Sequence, residues 1–163
     1  MSIDEVMSKV HQYDTPWITV TGGEPLAQKN CLRLLTQLCD SGYQVSLETS
    51  GAVPVNEVDP RVVKVMDVKT PGSGEVDRNL LSNLESLTPQ DQIKFVVCDE
   101  QDYRWAKNFI KEHQISEKCE VLMSPSYGQM EPAKLAEWIL RDKLLVRFQL
   151  QLHKLLWGDE PGR

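Results

Sequence analysis

The segment Trp17-Ile18-Thr19-Val20-Thr21-Gly22-Gly23-Glu24-Pro25 joins a β-rich run to a turn with two adjacent glycines. The β-branched and aromatic residues of the run predict a short strand over 17–20. Glycines permit backbone angles that other residues avoid, and they let a ligand approach the main chain closely. Glu24 adds a carboxylate that can accept a hydrogen bond from an ammonium group. We therefore expect this turn to bind the head group of an amino acid.

Helices and strands alternate around this turn. The periodicity predicts helices over 3–13, 27–41, 77–86, 101–113 and 131–142, and strands over 17–20, 43–48, 62–68, 93–98, 120–123 and 145–153. Apolar strands separated by helices are typical of a parallel α/β protein. No GxGxxG follows the first strand, which weighs against a dinucleotide-binding fold. The sequence favours a partial (β/α) barrel.

Polar residues collect directly after several predicted strands. The clusters are residues 21–24, 48–50, 67–69 and 124–126. Parallel strands of a barrel direct their carboxyl ends to one mouth, so we expect these clusters to converge on one site. Asp67 and Lys69 are two residues apart and should share one face of a strand. The alternative for each cluster is an ordinary capped turn or a surface ion pair.

The last predicted strand alternates apolar and polar residues. Its polar set comprises Arg147, Gln149, Gln151 and His153. The pattern is typical of a half-exposed edge strand. It is equally compatible with a polar face directed at a heteroaromatic, anionic substrate.

The composition argues against several classes of function. The chain has 163 residues and a net charge of −6, which argues against general binding to nucleic acid. No apolar run is long enough to span a bilayer, and residues 1–5 do not resemble a signal peptide. We expect one domain over residues 1–163, located in the cytoplasm.

Four cysteines lack the spacing of metal ligands. They are Cys31, Cys39, Cys98 and Cys119. Because no CxxC or CxxxCxxC pattern joins them, we expect reduced cysteines that pack as small hydrophobic side chains.

Together and in this order, the motifs resemble the 7-carboxy-7-deazaguanine synthase family of the radical S-adenosylmethionine (SAM) superfamily. The matching segments are TGGEPL (21–26), LETSG (47–51), MDVKTPGSG (66–74), KFVVCDEQD (94–102), LMSPS (122–126) and QLHKLLWGDEPGR (151–163). They span nearly the whole chain. TGGEP alone points only to the superfamily, whereas DVKTPGSG and the LHKLLWGD tail point to this family.

The resemblance implies a lyase of queuosine biosynthesis. Family members bind SAM on a 4Fe-4S cluster and cleave it to a 5′-deoxyadenosyl radical. The radical starts the ring contraction of 6-carboxy-5,6,7,8-tetrahydropterin, with loss of ammonia and with Mg²⁺, to 7-carboxy-7-deazaguanine. The resemblance also implies a homodimer and an electron donor such as flavodoxin.

It further implies residue roles. SAM would be bound by Gly22, Gly23, Glu24, Glu48, Ser50, Asp67, Val68, Lys69, Met123, Ser124, Pro125 and Ser126. The pterin would face Thr21, His153 and Pro161, and the tail 154–163 would fold over the barrel mouth.

One family feature is absent from the sequence: the CxxxCxxC that holds the cluster. The resemblance then implies a chain that begins after the family's first strand, cluster loop and Mg²⁺-binding threonine. Three hypotheses follow. The chain is the C-terminal portion of a longer synthase and inactive alone, or it is a cluster-less SAM-binding or interaction remnant, or a partner chain supplies the cluster.

Overall fold

The computed structural model describes residues 1–158, which form six strands flanked by helices. The strands are β1 (Trp17–Val20), β2 (Gln44–Thr49), β3 (Val63–Val68), β4 (Gln92–Val97), β5 (Glu120–Pro125) and β6 (Arg147–Phe148). The helices are α1 (Ile3–Val10), α2 (Cys31–Asp40), α3 (Glu100–Glu112), α4 (Ile115–Lys118), α5 (Pro132–Asp142) and α6 (Leu152–Trp157). Short 3₁₀ turns occupy Pro25–Ala27, Pro71–Ser73, Val76–Arg78 and Leu81–Ser86.

All six strands belong to one sheet in the order of the chain. Each strand pairs in parallel with the next, so every carboxyl end points to the same edge. In this register Thr19 lies opposite Ser46, and Asp67 lies opposite Lys94. Within residues 1–158, β1 and β6 are the two edges of an open sheet. The predicted partial barrel is confirmed.

The core lies between the sheet and the helices. One cluster joins Leu35 and Leu38 of α2 to Val45 and Leu47 of β2. A larger cluster joins β3, β4 and β5 to α3 and α5. Because side chains alternate along a strand, the other face of β2, β3 and β4 carries the more exposed, mostly polar residues.

Local capping chemistry sets several helix ends. Ser2 and Glu5 form a reciprocal capping box at the start of α1. Gly42 takes a left-handed conformation, with φ of 87°, directly after α2. α1 is one turn shorter than predicted, and none of its residues is fully buried.

Two predicted helices differ from the structure. The helix expected over 27–41 begins only at Cys31, because the chain first makes a 3₁₀ turn that ends in an extended residue, Gln28. The helix expected over 77–86 is wrong. Two 3₁₀ segments take its place, and Asn83 in the second is buried and bonds to the backbone of Gly51 and Val53.

The strand predicted over 145–153 is also wrong, except for its central residues 147–148. β6 holds only Arg147 and Phe148, and pairing with β5 ends where Gln149 N donates to Met123 O at 3.0 Å. The segment LHKLLW then forms α6, because its leucines recur at the spacing of a helix. No helix within residues 1–158 is both long and apolar enough to cross a membrane.

Candidate functional site

The carboxyl ends of the first strands surround a cavity of about 110 Å³. Residues from three of the predicted clusters line it: Thr21, Gly23, Glu48, Ser50, Asp67 and Lys69. Lys94 from β4 completes the wall. The convergence expected from parallel strands is therefore found for the clusters after β1, β2 and β3.

The turn after β1 depends on its two glycines. Gly22 has φ of 106° and Gly23 has φ of 55°. A Cβ at either position would meet no atom within 4 Å, so the backbone conformation and not the available space favours glycine. Thr21, which precedes them, also lines a larger neighbouring cavity of about 610 Å³ beside α1 and α2.

Glu24 ties this turn to the end of β2. Its carboxylate accepts hydrogen bonds from Leu26 N at 3.1 Å, from Ser50 N at 2.8 Å and from Thr49 Oγ1 at 2.9 Å. Ser50 Oγ donates to the same carboxylate. Burial acts to raise the pKa of Glu24, but these donors outweigh it and hold the pKa below its ordinary value. Glu24 is thus an ionised cross-link between two strand ends.

Asp67 and Lys69 share one face of the chain, as predicted, and form an ion pair. Lys69 Nζ lies 2.8 Å from Asp67 Oδ2. The other oxygen, Asp67 Oδ1, is buried and has no hydrogen-bond partner within residues 1–158. Val68 points to the opposite side and is buried in the larger core cluster. The cavity therefore holds a buried acceptor, Asp67 Oδ1, to which none of the described residues donates.

The loop after β3 is fixed by a carboxylate from α3. Asp102 is 1% exposed and accepts hydrogen bonds from Gly72 N at 2.7 Å, Cys98 N at 3.0 Å and Thr70 Oγ1 at 2.9 Å. A Cβ on Gly72 would lie 2.5 Å from Asp102 Oδ2. Glycine at this position is therefore required by the close approach of the carboxylate.

The fourth predicted cluster lines a different cavity. Met123 and Ser124 are buried in β5. Pro125 and Ser126 line a cavity of about 370 Å³ together with Leu155 of α6. The structure therefore places this cluster at the same sheet edge but on the side of α6.

The residues predicted to face the pterin are dispersed in part. Thr21 lines the cavity at the carboxyl ends of β1, β2 and β3. His153 stands on α6 instead of on a strand, and its side chain is exposed. Pro161 and the rest of the tail from residue 159 lie outside the described residues. SAM and pterin binding by the named residues stays a prediction.

Comparison with curated proteins gives close relatives along the whole chain. A 7-carboxy-7-deazaguanine synthase from Chlorobaculum tepidum is 47% identical over 163 residues, which cover 98% of this chain and 74% of that protein. The chain belongs to the 7-carboxy-7-deazaguanine synthase family. A synthase of the same name from Koribacter versatilis is 39% identical and covers 98% of this chain and 77% of its own length. No family model matches the sequence.

Solved structures share the fold. QueE from Escherichia coli has a TM-score of 0.73 at 19% identity, covering 93% of this chain. The chain spans 64% of the length of that structure. SuiB from Streptococcus suis bound to S-adenosylmethionine has a TM-score of 0.60 at 12% identity and covers 90% of this chain. At these identities the likeness concerns the fold alone.

The 4Fe-4S cluster implied by the synthase family finds no matching ligand set in residues 1–158. No group of three or more His, Cys, Asp or Glu side chains there is placed to hold a metal ion. All four cysteines are free, and burial is the main cause that raises the pKa of each thiol, to about 11 for Cys119. Residues 1–158 therefore do not fit a 4Fe-4S cluster.

Sequence reasoning missed two residues of this candidate site. Lys94 is the one charged residue of β4, and its place between buried Ile93 and Phe95 was a signal that it faces the opposite side. Asp102 follows the helix cap Asp99 by three residues, a position usually interpreted as helix capping. Its hydrogen bonds to the distant loop at Thr70 and Gly72 had no local signal.

Proposed function

We propose that this chain is the SAM- and substrate-binding part of a radical SAM lyase, a 7-carboxy-7-deazaguanine synthase. The reaction is the Mg²⁺-dependent ring contraction of 6-carboxy-5,6,7,8-tetrahydropterin, with loss of ammonia, in queuosine biosynthesis. The observation that carries the proposal is the cavity in which the glycine turn, Glu48–Ser50 and Asp67–Lys69 meet. Membership of the family and the parallel sheet edge support the same assignment.

SAM would lie along the carboxyl edge of the sheet. The main chain at Gly22 and Gly23 would bind its methionyl group, since the glycines leave open space around the backbone. Glu48 and Ser50 would approach the ribose, and Asp67 Oδ1 offers a buried acceptor for a donor group of the ligand. Residues 123–126 would bind the adenine on the side of α6. Glu24 would act by holding the turn, because the protein's own donors occupy its carboxylate.

The pterin would lie beside Thr21, with His153 and Pro161 contributed by the end of the chain. We further propose that the chain forms a single domain and that its tail, 154–163, folds over the mouth of the partial barrel. A homodimer, a flavodoxin-like electron donor and a cytoplasmic location complete the proposal and follow from the family.

The cluster would supply the one-electron reduction that cleaves SAM. Because residues 1–158 do not fit a cluster, its ligands and that of Mg²⁺ would come from outside this sequence. Two sources are distinguishable. In-frame DNA upstream of Met1 that encodes CxxxCxxC would indicate a longer synthase, whereas a co-purifying cysteine-rich subunit would indicate a partner chain.

The lack of cluster ligands within residues 1–158 favours a second candidate, a cluster-less SAM-binding or interaction protein. It expects a folded 163-residue chain without iron. Anaerobic reconstitution followed by absorption spectroscopy tests both candidates. A broad iron–sulfur band from this chain alone would exclude the second candidate and contradict the assignment of the cysteines as reduced thiols that hold no metal.

SAM affinity, measured by calorimetry on the 163-residue chain, tests the proposed site. We expect Gly23→Ala to weaken SAM binding at least about tenfold, because a residue with a Cβ disfavours φ of 55° and shifts the turn. Gly42→Ala is the matched control. Gly42 also has a positive φ and free space, but it precedes the amino end of β2. Equal SAM affinity in the two variants would contradict the assignment.

A further inference from the structure

We propose that Lys94 is a carboxylate-binding residue of the cavity after β1–β3 and that it acts together with Asp67. The proposal rests on the proposed function, since it names the part of the ligand that this cavity recognises. Both expected ligands carry a carboxylate: SAM has one on its methionyl group, and the pterin has one at position 6. The chemistry that Lys94 would recognise is the same in both.

The backbone of β4 fixes the direction of the Lys94 side chain. Ile93 and Phe95, on either side of it, are each 0% exposed and belong to the larger core cluster. Alternation along the strand then places Lys94 on the opposite face, where it lines the cavity. Its position in the sheet is directly across from Asp67 on β3.

The ammonium group of Lys94 has no short partner within residues 1–158. The nearest acidic oxygen, Glu48 Oε2, is 3.9 Å away, which exceeds hydrogen-bond distance. Asp67 Oδ2 is already paired with Lys69 at 2.8 Å. The side chain of Lys94 is nevertheless only 17% exposed. A largely buried cation without a close acceptor is costly, so this arrangement favours an anion supplied by a ligand.

The cavity that Lys94 lines also contains an acceptor that is unpaired within residues 1–158. Asp67 Oδ1 is a buried acceptor without a hydrogen-bond donor among the described residues. A ligand with an anionic group beside an N–H or O–H donor would satisfy both Lys94 and Asp67. The amino acid end of SAM has this arrangement, and so does a pterin carboxylate beside a ring N–H.

The surrounding charges favour a carboxylate over a phosphate. Lys69 is neutralised by Asp67, which leaves Lys94 as the cation available in a wall that also contains Glu48. Once Asp67 and Lys69 are paired, a doubly charged phosphate would meet one available cation, Lys94, and the carboxylate of Glu48. A single carboxylate would pair with Lys94 at lower electrostatic cost. The pair with Glu48 is long, and Glu48 is 46% exposed, so that contact contributes little.

Binding of matched ligand pairs to the 163-residue chain tests this role. One pair is SAM and decarboxylated SAM. The other is 6-carboxytetrahydropterin and tetrahydropterin without the carboxylate. We expect Lys94→Gln to weaken the carboxylate-bearing member of one pair at least about tenfold and to leave its partner unchanged. The affected pair identifies which ligand Lys94 holds.

Two further variants separate binding from folding. Lys94→Arg keeps the charge and should restore a large part of the lost affinity. Lys107→Gln is the matched control, because it removes a cation that pairs with Asp142 on the helix side of the molecule at 2.8 Å. Its ligand affinities should equal those of the unmodified chain. Urea unfolding of each variant confirms that a folded protein is compared.

The outcomes separate the two levels of the proposal. If the unmodified chain binds a ligand and Lys94→Gln binds both members of each pair as tightly, Lys94 is not the carboxylate-binding residue. Equal losses for both members of a pair would also overturn it. If the unmodified chain binds neither SAM nor the pterin, the proposed function fails and the role of Lys94 fails with it.

Discussion

The loop after β1 and the loop after β3 are each fixed by one carboxylate, but the two carboxylates lie in different surroundings. Glu24 is partly exposed and joins neighbouring strand ends. Asp102 is 1% exposed and joins a loop, a strand end and a helix start. Both are occupied by donors of the protein itself. Glu24 and Asp102 therefore serve as scaffold, whereas Asp67 Oδ1 is a buried acidic oxygen that remains for a ligand.

The degree of burial sets the expected energetic difference. Asp102 is 1% exposed, so its removal would leave the buried Thr70 hydroxyl and the partly buried N–H groups of Gly72 and Cys98 without an acceptor at a place that water reaches poorly. The donors to Glu24 lie in a partly exposed region, where water can replace part of what is lost. Asp102 should therefore contribute more to stability, and Glu24 more to the local shape of the turn.

The largest expected effect is that of Asp102→Asn. The amide retains the size of the side chain, but its NH₂ group replaces one of the two oxygens that accept from Gly72 N and Cys98 N, so a donor would face a donor. We expect a loss of about 3 kcal/mol in the free energy of unfolding, measured with urea. Asp99→Asn, which alters only the helix cap, should cost about 1 kcal/mol or less. Equal losses in the two variants would show that Asp102 is also no more than a cap.

Gly72→Ala should follow, because the added Cβ would lie 2.5 Å from Asp102 Oδ2. We expect a loss of about 2 kcal/mol in unfolding free energy. The cause is local, so the loss should shrink when Gly72→Ala is combined with Asp102→Ala, which removes the contacting atom. An additive double-mutant cycle would contradict direct contact between these two positions.

Glu24→Gln should cost less, about 1 to 2 kcal/mol. Hydrogen bonds hold the pKa of Glu24 below its ordinary value, so its contribution to stability is complete above the unfolded pKa near 4.5. The contribution is lost as the pH falls through the lower, folded-state pKa. The difference in unfolding free energy between the variant and the unmodified chain should therefore be constant above about pH 6 and shrink at acidic pH. A difference independent of pH would contradict the ionised cross-link.

The smallest effects come from single hydroxyl donors. Thr70 is 1% exposed and bonds to Asp102, whereas Ser50 is partly exposed and bonds to Glu24. We expect Thr70→Val to cost about 1 kcal/mol and Ser50→Ala about half as much in thermal or urea unfolding. The reverse order would break the comparison between the two loops.

Local patterns in the sequence predict most of this fold. β3 is recognisable because it is rich in β-branched valines. Ser2 and Gly42 mark helix ends through side-chain capping and a left-handed backbone. The meeting of residues 21–24, 48–50 and 67–69 followed from one rule, that parallel strands share a carboxyl edge.

The features that the sequence did not predict depend on contacts between distant residues or on apolar periodicity that fits both a strand and a helix. The polar and apolar alternation over 145–153 matched a strand, but the leucines from 152 onward also match a helix, and the helix forms. Asp102 lies 30 residues from Gly72 along the chain, so no local pattern could reveal their bond. The sequence assigns the Glu24 carboxylate to the ammonium group of a ligand, since no local pattern shows that its donors, Thr49 and Ser50, come from another strand end.

The central claim is that the cavity at the ends of β1, β2 and β3 binds SAM. Amide NMR of the 163-residue chain during a SAM titration tests it most directly. The account predicts saturable shifts at residues 21–24, 48–50 and 67–69, with the amino ends of the same strands unchanged. Saturable shifts confined to other regions, or no shifts at all, would contradict it.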